Sequence, residues 1–474
     1  MSERTRRFRL GEPSSEPSIP TERLETVQTQ REDHADPEAG RREQREADRS
    51  EEVGLDRPCR PLAQAQDAER QPDHREPERH EADEECPFRQ PTEPLVEWLE
   101  DTLDEPALSV ERFEVDPEKP NLVATLPGRG DRTLCFNGHL DTVPFDESGW
   151  AYDPLGERDD ERIYGRGATD MKGAVAAMVQ VALAYARTEP EPPVTLQFAF
   201  VSDEETGGDA GLTTLLETTA FDPDACVVGE TTARNGRYSV SIADRGNIWL
   251  TLESSGTAAH GSRPMIGVNA IDRLTAAIEQ LRREFGQREL SIDSAMDGII
   301  QESVDFYEPE AGADATRSLY RYPTINLGII EGGTAINTVP ASACARVDIR
   351  LTAGVDTREA LGGIRNCLTE MDGIEITDIS WTRGSYEPLG SPIVEASAQA
   401  AEHVVDDRVY RRSATGGGDA KVLRHEGIPT VEFGFGTQTA HGTDEYTTTE
   451  ALTRNAISYG TLPVLYERLT GVDG

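Results

Sequence analysis

The chain of 474 residues carries 88 acidic and 47 basic residues, a formal net charge of −41, and only 6% aromatic residues. Three of the basic residues are lysines, Lys119, Lys172 and Lys421, and the others are arginines. A surface this acidic excludes nucleic acids and anionic membranes as partners, because both attract basic patches. It predicts adaptation to high salt, where screening relieves the self-repulsion.

The cysteines and apolar runs indicate a cytoplasmic protein. The six cysteines form no C-x-x-C pair, and Cys135, Cys226 and Cys344 lie in apolar, strand-like runs. This pattern is typical of reduced core thiols. The first 30 residues contain no apolar run that resembles a secretory signal. No stretch of about 18 apolar residues is available to span a membrane.

Residues 1–91 differ in composition from the rest of the chain. They are rich in Arg, Glu, Gln, Asp and Pro, have almost no aromatic residues and show no hydrophobic period. Such a segment cannot bury enough apolar surface to offset chain entropy, so we expect a disordered extension. An interaction tail is the alternative. Some metal-binding residue types occur there, but too irregularly for a zinc finger: His34, Cys59, His74, His80 and Cys86.

From residue 92 onward, helical and strand-like patterns alternate. The apolar residues Leu95, Leu99 and Leu103 recur at helical spacing. Alternating strands and helices predict an α/β fold with a doubly wound, mostly parallel sheet. The next predicted elements are strands at 121–126, 133–137, 194–201 and 225–228, and a helix at 174–186.

The pattern changes near Arg237. We interpret residues 238–383 as an α+β domain inserted into the first domain, which comprises 92–237 and 384–474. Residues 291–317 read as an irregular acidic stretch. The strands predicted in the insertion are 238–243, 248–254, 322–330, 343–351 and 374–381, and its helices are 269–285 and 357–371. After the insertion we predict helices at 392–405 and 449–469 and a strand at 429–433.

Metal-binding residue types recur where predicted strands end. His139, the pair Glu204–Glu205, and Glu230 each follow a strand closely. In sheets of this class, ligands bind beyond the carboxyl ends of the strands. Asp170 stands in the glycine-rich turn 165–173, just before a helix, where a carboxylate needs a positive partner.

His441, in the loop after the strand at 429–433, adds a second histidine. One histidine and one carboxylate for each metal, with a shared carboxylate, suit a two-zinc site, because zinc binds imidazole nitrogen and carboxylate oxygen. Two metals about 3.5–4 Å apart lower the pKa of water and polarise a carbonyl. Taken singly, the residues have structural alternatives. These are a solvated loop end for Glu204 and Glu205, a surface position for His441 and a turn cap for Asp141.

The motifs also match a family. In chain order they are Gly138–Pro144, Gly165–Gly173, Asp203–Gly207, Glu230 and His441–Glu445. Their order and spacing, over roughly residues 92–470, resemble the acetylornithine deacetylase, succinyl-diaminopimelate desuccinylase, aminoacylase and glutamate carboxypeptidase family of dinuclear zinc hydrolases. The resemblance implies that Asp170 bridges two metals. It implies that His139 and Glu230 complete one site, and that Glu205 and His441 complete the other.

The resemblance also implies catalytic roles. Asp141 would fix the tautomer of His139, and Glu204 would move a proton from the attacking water to the leaving amine. A cis peptide is expected between Asp170 and Met171. The inserted domain would act as a lid and dimerisation domain. From it, His260 of either subunit would stabilise the oxyanion.

Further residues of the resemblance concern the substrate. Asn337 would add a hydrogen bond, and Arg350 stands where the family places an arginine for the substrate carboxylate. A salt bridge with Asp348 is the alternative for Arg350. The glycines lack the Lys-Ser/Thr of a P-loop and would line the substrate pocket; they are Gly416, Gly417 and Gly418. At the last of them the family commonly has a hydroxyl residue, so the substrate name is not transferred.

The sequence therefore predicts a cytoplasmic, salt-adapted metal hydrolase that cleaves the amide bond of a small N-acyl amino acid. We expect two divalent ions, zinc first and cobalt or manganese as alternatives, and a homodimer formed through the inserted domain. Succinyl-diaminopimelate and acetylornithine are the first candidate substrates, with a role in amino-acid biosynthesis. An aminoacylase or a carboxypeptidase/dipeptidase of the same family is the alternative. A non-catalytic metal- or ligand-binding relative is the alternative from another class, and the presence of Glu204 argues against it.

Overall fold

The computed structural model describes residues 91–218 and 220–471. The predicted disordered extension, with its histidines and cysteines, lies outside these residues. The strands are β1 Ser109–Phe113, β2 Asn121–Leu126, β3 Thr133–His139, β4 Glu157–Asp159, β5 Arg162–Tyr164, β6 Thr195–Val201, β7 Ala225–Val228, β8 Tyr238–Asp244, β9 Gly246–Ser255, β10 Ala259–His260, β11 Thr324–Gly332, β12 Thr338–Val339, β13 Ser342–Leu351, β14 Ile374–Thr382, β15 Ser385–Tyr386, β16 Val409–Ser413, β17 Thr430–Glu432 and β18 Tyr446–Thr448.

The α-helices include each one that the sequence predicts, with small shifts at their ends. They are α1 Glu93–Thr102, α2 Gly173–Ala186, α3 Leu212–Leu216, α4 Ala270–Glu284, α5 Met296–Ala311, α6 Ala313–Arg321, α7 Thr357–Leu368, α8 Pro392–Val405, α9 Asp419–His425 and α10 Thr449–Thr470. Among the described residues, none of the helices combines the length and the hydropathy that a membrane span requires.

A nine-stranded sheet forms the centre of the first domain, in the order β1-β2-β6-β3-β7-β17-β8-β15, with β16 paired to β8. The four strands β6-β3-β7-β17 are mutually parallel. An antiparallel strand lies on each side of these four: β2 pairs antiparallel with β6, and β8 pairs antiparallel with β17. The α/β class is confirmed, and the sheet is mixed, with its parallel strands in the middle.

Both faces of the central sheet are covered, which explains why its strands read as continuous apolar runs. Along β3, Leu134 and Phe136 pack into the larger core with residues of α2, α8 and α10. Cys135, between them, packs on the opposite face with residues of α3 and α9. The doubly wound arrangement thus follows from the alternation of side chains along a strand that is buried on both faces.

The inserted domain has its own antiparallel sheet, ordered β11-β13-β9-β14. Along β9, Ile248, Leu250 and Leu252 pack against α4 and α7, and the residues between them lie on the other face. The predicted start of this domain at residue 238 is corrected by the pairing of β8, which lies in the central sheet. We therefore propose that the insertion runs from about 246 to 382.

The acidic stretch 291–317 is not irregular, and this prediction was wrong. It forms α5 and most of α6. The first turn of α5 is anchored by Met296 and Ile299, which belong to the core under the central sheet. Acidic side chains that obscured the helical pattern bind arginines instead, as Glu310 does with Arg234. Ion pairing therefore replaces part of the apolar stripe that identifies a helix in a sequence.

The expectation of reduced thiols holds for part of the cysteines. Cys135 and Cys226 are free and buried, and they stand opposite each other on β3 and β7. Cys344 is disulfide-bonded, so the expectation is wrong for that residue.

Candidate metal centre and active site

Three neighbouring parallel strands bring the predicted metal ligands together. Strand β3 ends at His139, and β6 and β7, its two neighbours, are followed by Glu204–Glu205 and Glu230. The carboxyl ends of parallel strands share one edge of the sheet, so side chains that follow them meet there. The structure thus assembles residues that are about 90 positions apart in sequence, as the strand-end argument predicted.

The glycine-rich turn 165–173 carries Asp170 into this edge. The peptide between Asp170 and Met171 is cis, as expected from the family resemblance. Gly167 has a φ of 82°, in the left-handed region that favours glycine. A Cβ at this position would lie 2.6 Å from Thr142 Cγ2. Glycine is therefore required where the turn packs against the loop that follows β3.

The first cluster of candidate ligands surrounds His139. Its Nε2 lies 3.1 Å from Asp170 Oδ1 and 3.3 Å from Glu230 Oε1. Burial works against protonation, but hydrogen bonds to neighbouring carboxylates raise the pKa of His139 well above its ordinary value. A divalent cation would compete with this proton for the same nitrogen.

The second cluster uses the other oxygen of Asp170. His441 Nε2 lies 3.0 Å from Asp170 Oδ2 and 3.2 Å from Glu205 Oε1. One ligand atom from each of His139, Asp170 and Glu205 lies within 4.8 Å of the others. Each oxygen of Asp170 therefore lies beside a different histidine, and each of these histidines also lies beside one glutamate.

This donor set fits two divalent cations. Five side chains converge, and three of them are carboxylates that would repel one another without positive charge between them. Burial, with the adjacent charge of Asp170, raises the pKa of Glu205. Cations at the two clusters would remove this penalty and would use imidazole and carboxylate ligands of the kind that zinc prefers.

Asp141 supports both the histidine and the glutamate pair. Its backbone oxygen lies 3.1 Å from His139 Nδ1, and its Oδ1 lies 3.6 Å from the same nitrogen. Its carboxylate accepts hydrogen bonds from the backbone N–H groups of Glu204 and Glu205, at 3.2 and 3.0 Å. Burial would raise the pKa of Asp141, but these bonds and His139 hold it below its ordinary value.

Glu204 differs from Glu205 in its surroundings. No ion pair joins Glu204 to the histidines of the cluster within the described part of the chain. Burial raises the pKa of Glu204 to about 9, opposed by the charge of His139 and reinforced by neighbouring carboxylates such as Asp419. The loop that carries both glutamates is held by Asp203, whose φ of 77° is uncommon for a residue with a Cβ.

Asp419, which sequence reasoning did not single out, is buried beside this site. Its Oδ2 has no hydrogen-bond partner among the described residues. Burial raises its pKa to about 7, opposed by His139 and reinforced by Glu230 and Asp141. Asp419 opens α9 directly after the glycine loop and lies outside the quoted motifs, so no sequence signal indicated its place near the candidate metal ligands.

The glycine loop gives Glu204 its space. A Cβ added at Gly418 would lie 2.7 Å from Glu204 Oε1, and the clash would fall on the mobile end of that side chain. We expect Gly418→Ala to lower kcat by about 10- to 100-fold by displacing the carboxylate, with little change in the melting temperature. Steady-state rates and thermal unfolding check this.

The matched control for that substitution is Gly416→Ala. Unlike Gly417 and Gly418, Gly416 is not among the residues that line the cleft around Glu204, and a Cβ there would meet no atom within 4 Å. It should leave kcat unchanged. Equal losses in the two variants would show that loop flexibility, and not contact with Glu204, limits the rate.

Three further charged residues lie at the turn and the histidine loop, and no role was predicted for them. Glu445 is fully buried, and its Oε1 accepts the backbone N–H groups of Thr169 and Asp170, at 3.0 and 3.1 Å. Arg166 Nη1 donates to Glu445 Oε2 at 2.6 Å. Burial lowers the pKa of Lys172 to about 8, although the surrounding carboxylates oppose this. All three lie inside the quoted motifs, which was the available signal.

The other two lysines of the chain also lie near this site. Lys119 pairs with Asp203, just before the two glutamates. Lys421, on α9, is buried and donates to the backbone oxygen of Arg245 at 3.0 Å and to Thr382 Oγ1 at 2.6 Å. Arg245 and Thr382 lie at the two points where the chain crosses between the domains. Each lysine of the chain is thus bonded or buried beside the site.

The predicted residues of the inserted domain are not all brought to the cluster. His260 and Asn337 are exposed, and Gly261 N donates to Asn337 O at 2.6 Å. His260 Nδ1 lies 2.8 Å from Ser262 Oγ. Within residues 91–218 and 220–471, neither His260 nor Asn337 forms a hydrogen bond or ion pair with the candidate metal ligands.

Arg350 lies on the wall of a cleft of about 560 Å³ between the two domains. Its Nε donates to both oxygens of Asp348, at 2.8 and 3.1 Å, so the salt bridge considered as its alternative is present. Glu204, Gly417 and Gly418 line the same cleft. The arginine is therefore both ion-paired and accessible to a substrate near Glu204.

Comparisons with known proteins agree with this geometry. Residues 135–462 match peptidase family M20/M25/M40. Succinyl-diaminopimelate desuccinylase of Sphingopyxis alaskensis is 32% identical over 374 residues, which are 76% of this chain and 90% of that protein. Acetylornithine deacetylase of Vibrio campbellii is 31% identical over 308 residues, 64% of this chain and 70% of that protein.

Solved structures support the fold. A metallo-carboxypeptidase of the M20 family from Sulfolobus solfataricus is similar with a TM-score of 0.61 and 21% identity, over 79% of this chain and 94% of that one. Human carnosine dipeptidase 1 is similar with a TM-score of 0.59 and 20% identity, over 82% and 93%. The chain is an amide-cleaving, metal-dependent hydrolase, and it belongs to peptidase family M20/M25/M40.

Proposed function

We propose that the protein hydrolyses the amide bond of an N-acyl amino acid, using two divalent ions held by His139, Asp170, Glu205, Glu230 and His441. The observation that carries this proposal is the sharing of Asp170 between two histidine–glutamate clusters, with Glu204 free of both. Zinc suits the donors best, and cobalt or manganese are alternatives. N-succinyl-diaminopimelate and N-acetylornithine are the first candidate substrates, because relatives with those names are 32% and 31% identical.

The chain's own residues divide the chemistry between them. Bound metal ions would lower the pKa of a water molecule and polarise the amide carbonyl. Glu204 accepts the proton of the attacking water and delivers it to the leaving amine, whose nitrogen needs a proton as the C–N bond breaks. Asp141 holds the Glu204 backbone and His139 in fixed relative positions.

His260 and Asn337 act across a homodimer interface in this proposal. Both side chains are exposed on the inserted domain, where a second subunit could bring them to a neighbouring site. Met265 and Ile336 lie on the same loops and are 79% and 105% exposed. Apolar residues exposed to this extent suit a surface that a partner covers.

We further propose that the enzyme works in a salt-rich cytoplasm on metabolites of amino-acid biosynthesis. The net charge of −41 supports this, because a compact chain with such self-repulsion gains from screening. Salt adaptation should appear as higher activity at high ionic strength.

The experiment is an assay of substrates before and after chelation and metal add-back. The panel contains N-acetylornithine, N-succinyl-diaminopimelate, simple N-acetyl amino acids and dipeptides, at low salt and at about 2 M salt. We expect metal-dependent turnover of an N-acyl amino acid, faster at high salt. Preference for dipeptides would favour the dipeptidase alternative. Bound metal without turnover of any compound would favour the non-catalytic relative.

A further inference from the structure

The sheet of the inserted domain presents an ordered face to the cleft. In the register of its strands, Asp348 stands opposite Trp249, and Trp249 stands opposite Ser380. The adjacent row on the same face contains Arg350, Asn247 and Thr382. All of these residues except Asp348 line the cleft that also contains Glu204. The opposite face of the sheet is occupied by its core.

Asp348 fixes the two large side chains of this face. Its Oδ1 accepts the indole N–H of Trp249 at 3.0 Å and the Nε–H of Arg350 at 2.8 Å. Trp249 remains 49% exposed, although its apolar ring would gain free energy from burial. A ring that is held in orientation by a carboxylate and left open to a cleft is suited to stack on a ligand.

The charges in the cleft limit what a substrate can carry. Two basic residues line it, Arg350 and Lys421. Lys421 is directed to the domain crossing, where its Nζ donates to Arg245 O and Thr382 Oγ1 at 3.0 and 2.6 Å. Arg350 uses Nε for Asp348, so its two terminal nitrogens form the fork available for one carboxylate.

We propose that the substrate is an N-acyl amino acid with a single carboxylate, bound by Arg350, and an aromatic side chain that stacks on Trp249. This inference rests on the proposed hydrolysis of an N-acyl amino acid. Within that class it favours an aromatic substrate over the two compounds that the names of the relatives suggest. In an amino acid, the carboxylate and the side chain are attached to the same carbon atom. Arg350 and Trp249 are close together in a corresponding way, because both donate to Asp348 Oδ1. N-succinyl-diaminopimelate carries three carboxylates, and the described cleft offers a receptor for one of them.

The test compares N-acetylphenylalanine, N-acetylalanine and N-succinyl-diaminopimelate with the metal-loaded enzyme and with Trp249→Ala. We expect kcat/KM to be highest for N-acetylphenylalanine. Trp249→Ala should lower that value about tenfold, mainly through KM, and should change it less than about twofold for N-acetylalanine. The control is Trp98→Ala, which removes a tryptophan that is 56% exposed on α1 and should change neither value.

Equal losses for the two acetylated substrates in Trp249→Ala, or a preference for the succinylated compound, would overturn the inference and leave the hydrolase function intact. If no substrate is turned over, the proposed function fails separately. Calorimetric titration of N-acetylphenylalanine and N-acetylalanine into metal-loaded Glu204→Gln then decides the inference, because the aromatic preference and its loss with Trp249→Ala are properties of binding.

Discussion

Glu204→Gln should lower kcat by about 10³-fold and leave the bound metal and the melting temperature unchanged. The amide has nearly the shape of the carboxylate, but it cannot accept the proton of the attacking water or return it to the amine. Glu204 has no ion pair with His139 or His441 in the structure, so its replacement should not disturb the metal clusters. Steady-state kinetics and metal analysis of the purified variant measure the two effects.

The informative control for this variant is its neighbour. Glu205→Gln alters a candidate ligand, because Glu205 Oε1 lies 3.2 Å from His441 Nε2. It should lose both activity and about one metal ion per chain. Both variants would then lose activity, and the bound metal would distinguish them, because only Glu205→Gln would lose an ion. Substantial turnover by Glu204→Gln would contradict the assignment of the general base.

Asp170→Asn should abolish activity and reduce bound metal from about two ions per chain to less than one, since two-metal sites depend on ligands that span both ions. Both oxygens of Asp170 face histidines, at 3.1 and 3.0 Å. Asparagine keeps one of them and replaces the other by an N–H donor, which repels a cation. Metal analysis after exhaustive dialysis, together with the chelation assay, measures this.

Glu230→Gln is the comparison for that experiment. Glu230 lies near His139 but belongs to the first cluster only, at 3.3 Å from its Nε2. Glu230→Gln should therefore lose about one metal ion per chain, and the second cluster should remain occupied. If Asp170→Asn retains both metals, Asp170 does not bridge them, and the proposed arrangement of the centre is wrong.

Much of the candidate site could be predicted from the sequence. Ligands bind beyond the carboxyl ends of parallel strands, and the residues at those positions are of the types that bind zinc. His139, Glu205 and Glu230 lie at or just after the ends of parallel strands that are neighbours in the sheet, so an argument from strand ends predicts that these side chains meet. Asp170 was identified by glycines that permit a tight turn beside it. These signals are local, and each can be seen in a few consecutive residues.

Other features depend on distant partners and could not be predicted in the same way. The burial of Glu445 is explained by Arg166, 279 positions earlier in the chain. The helices of residues 291–317 were missed because their acidic residues bind arginines from other elements. The boundary near residue 238 was misplaced because strand alternation does not reveal which sheet a strand joins.

The placement of the lysines has a practical consequence. A protein of this size usually offers amine-reactive reagents many surface lysines, but this one has three, and none of them is freely exposed. Lys119 and Lys421 are engaged with partners, and Lys172 lies in the glycine-rich turn that carries Asp170. Acylating dyes, cross-linkers and immobilisation supports that modify lysine therefore have their side-chain targets in or beside the candidate active site, and one of these lysines, Lys421, lines the cleft. Thiol or carboxylate chemistry is the better choice for attaching this enzyme to a surface.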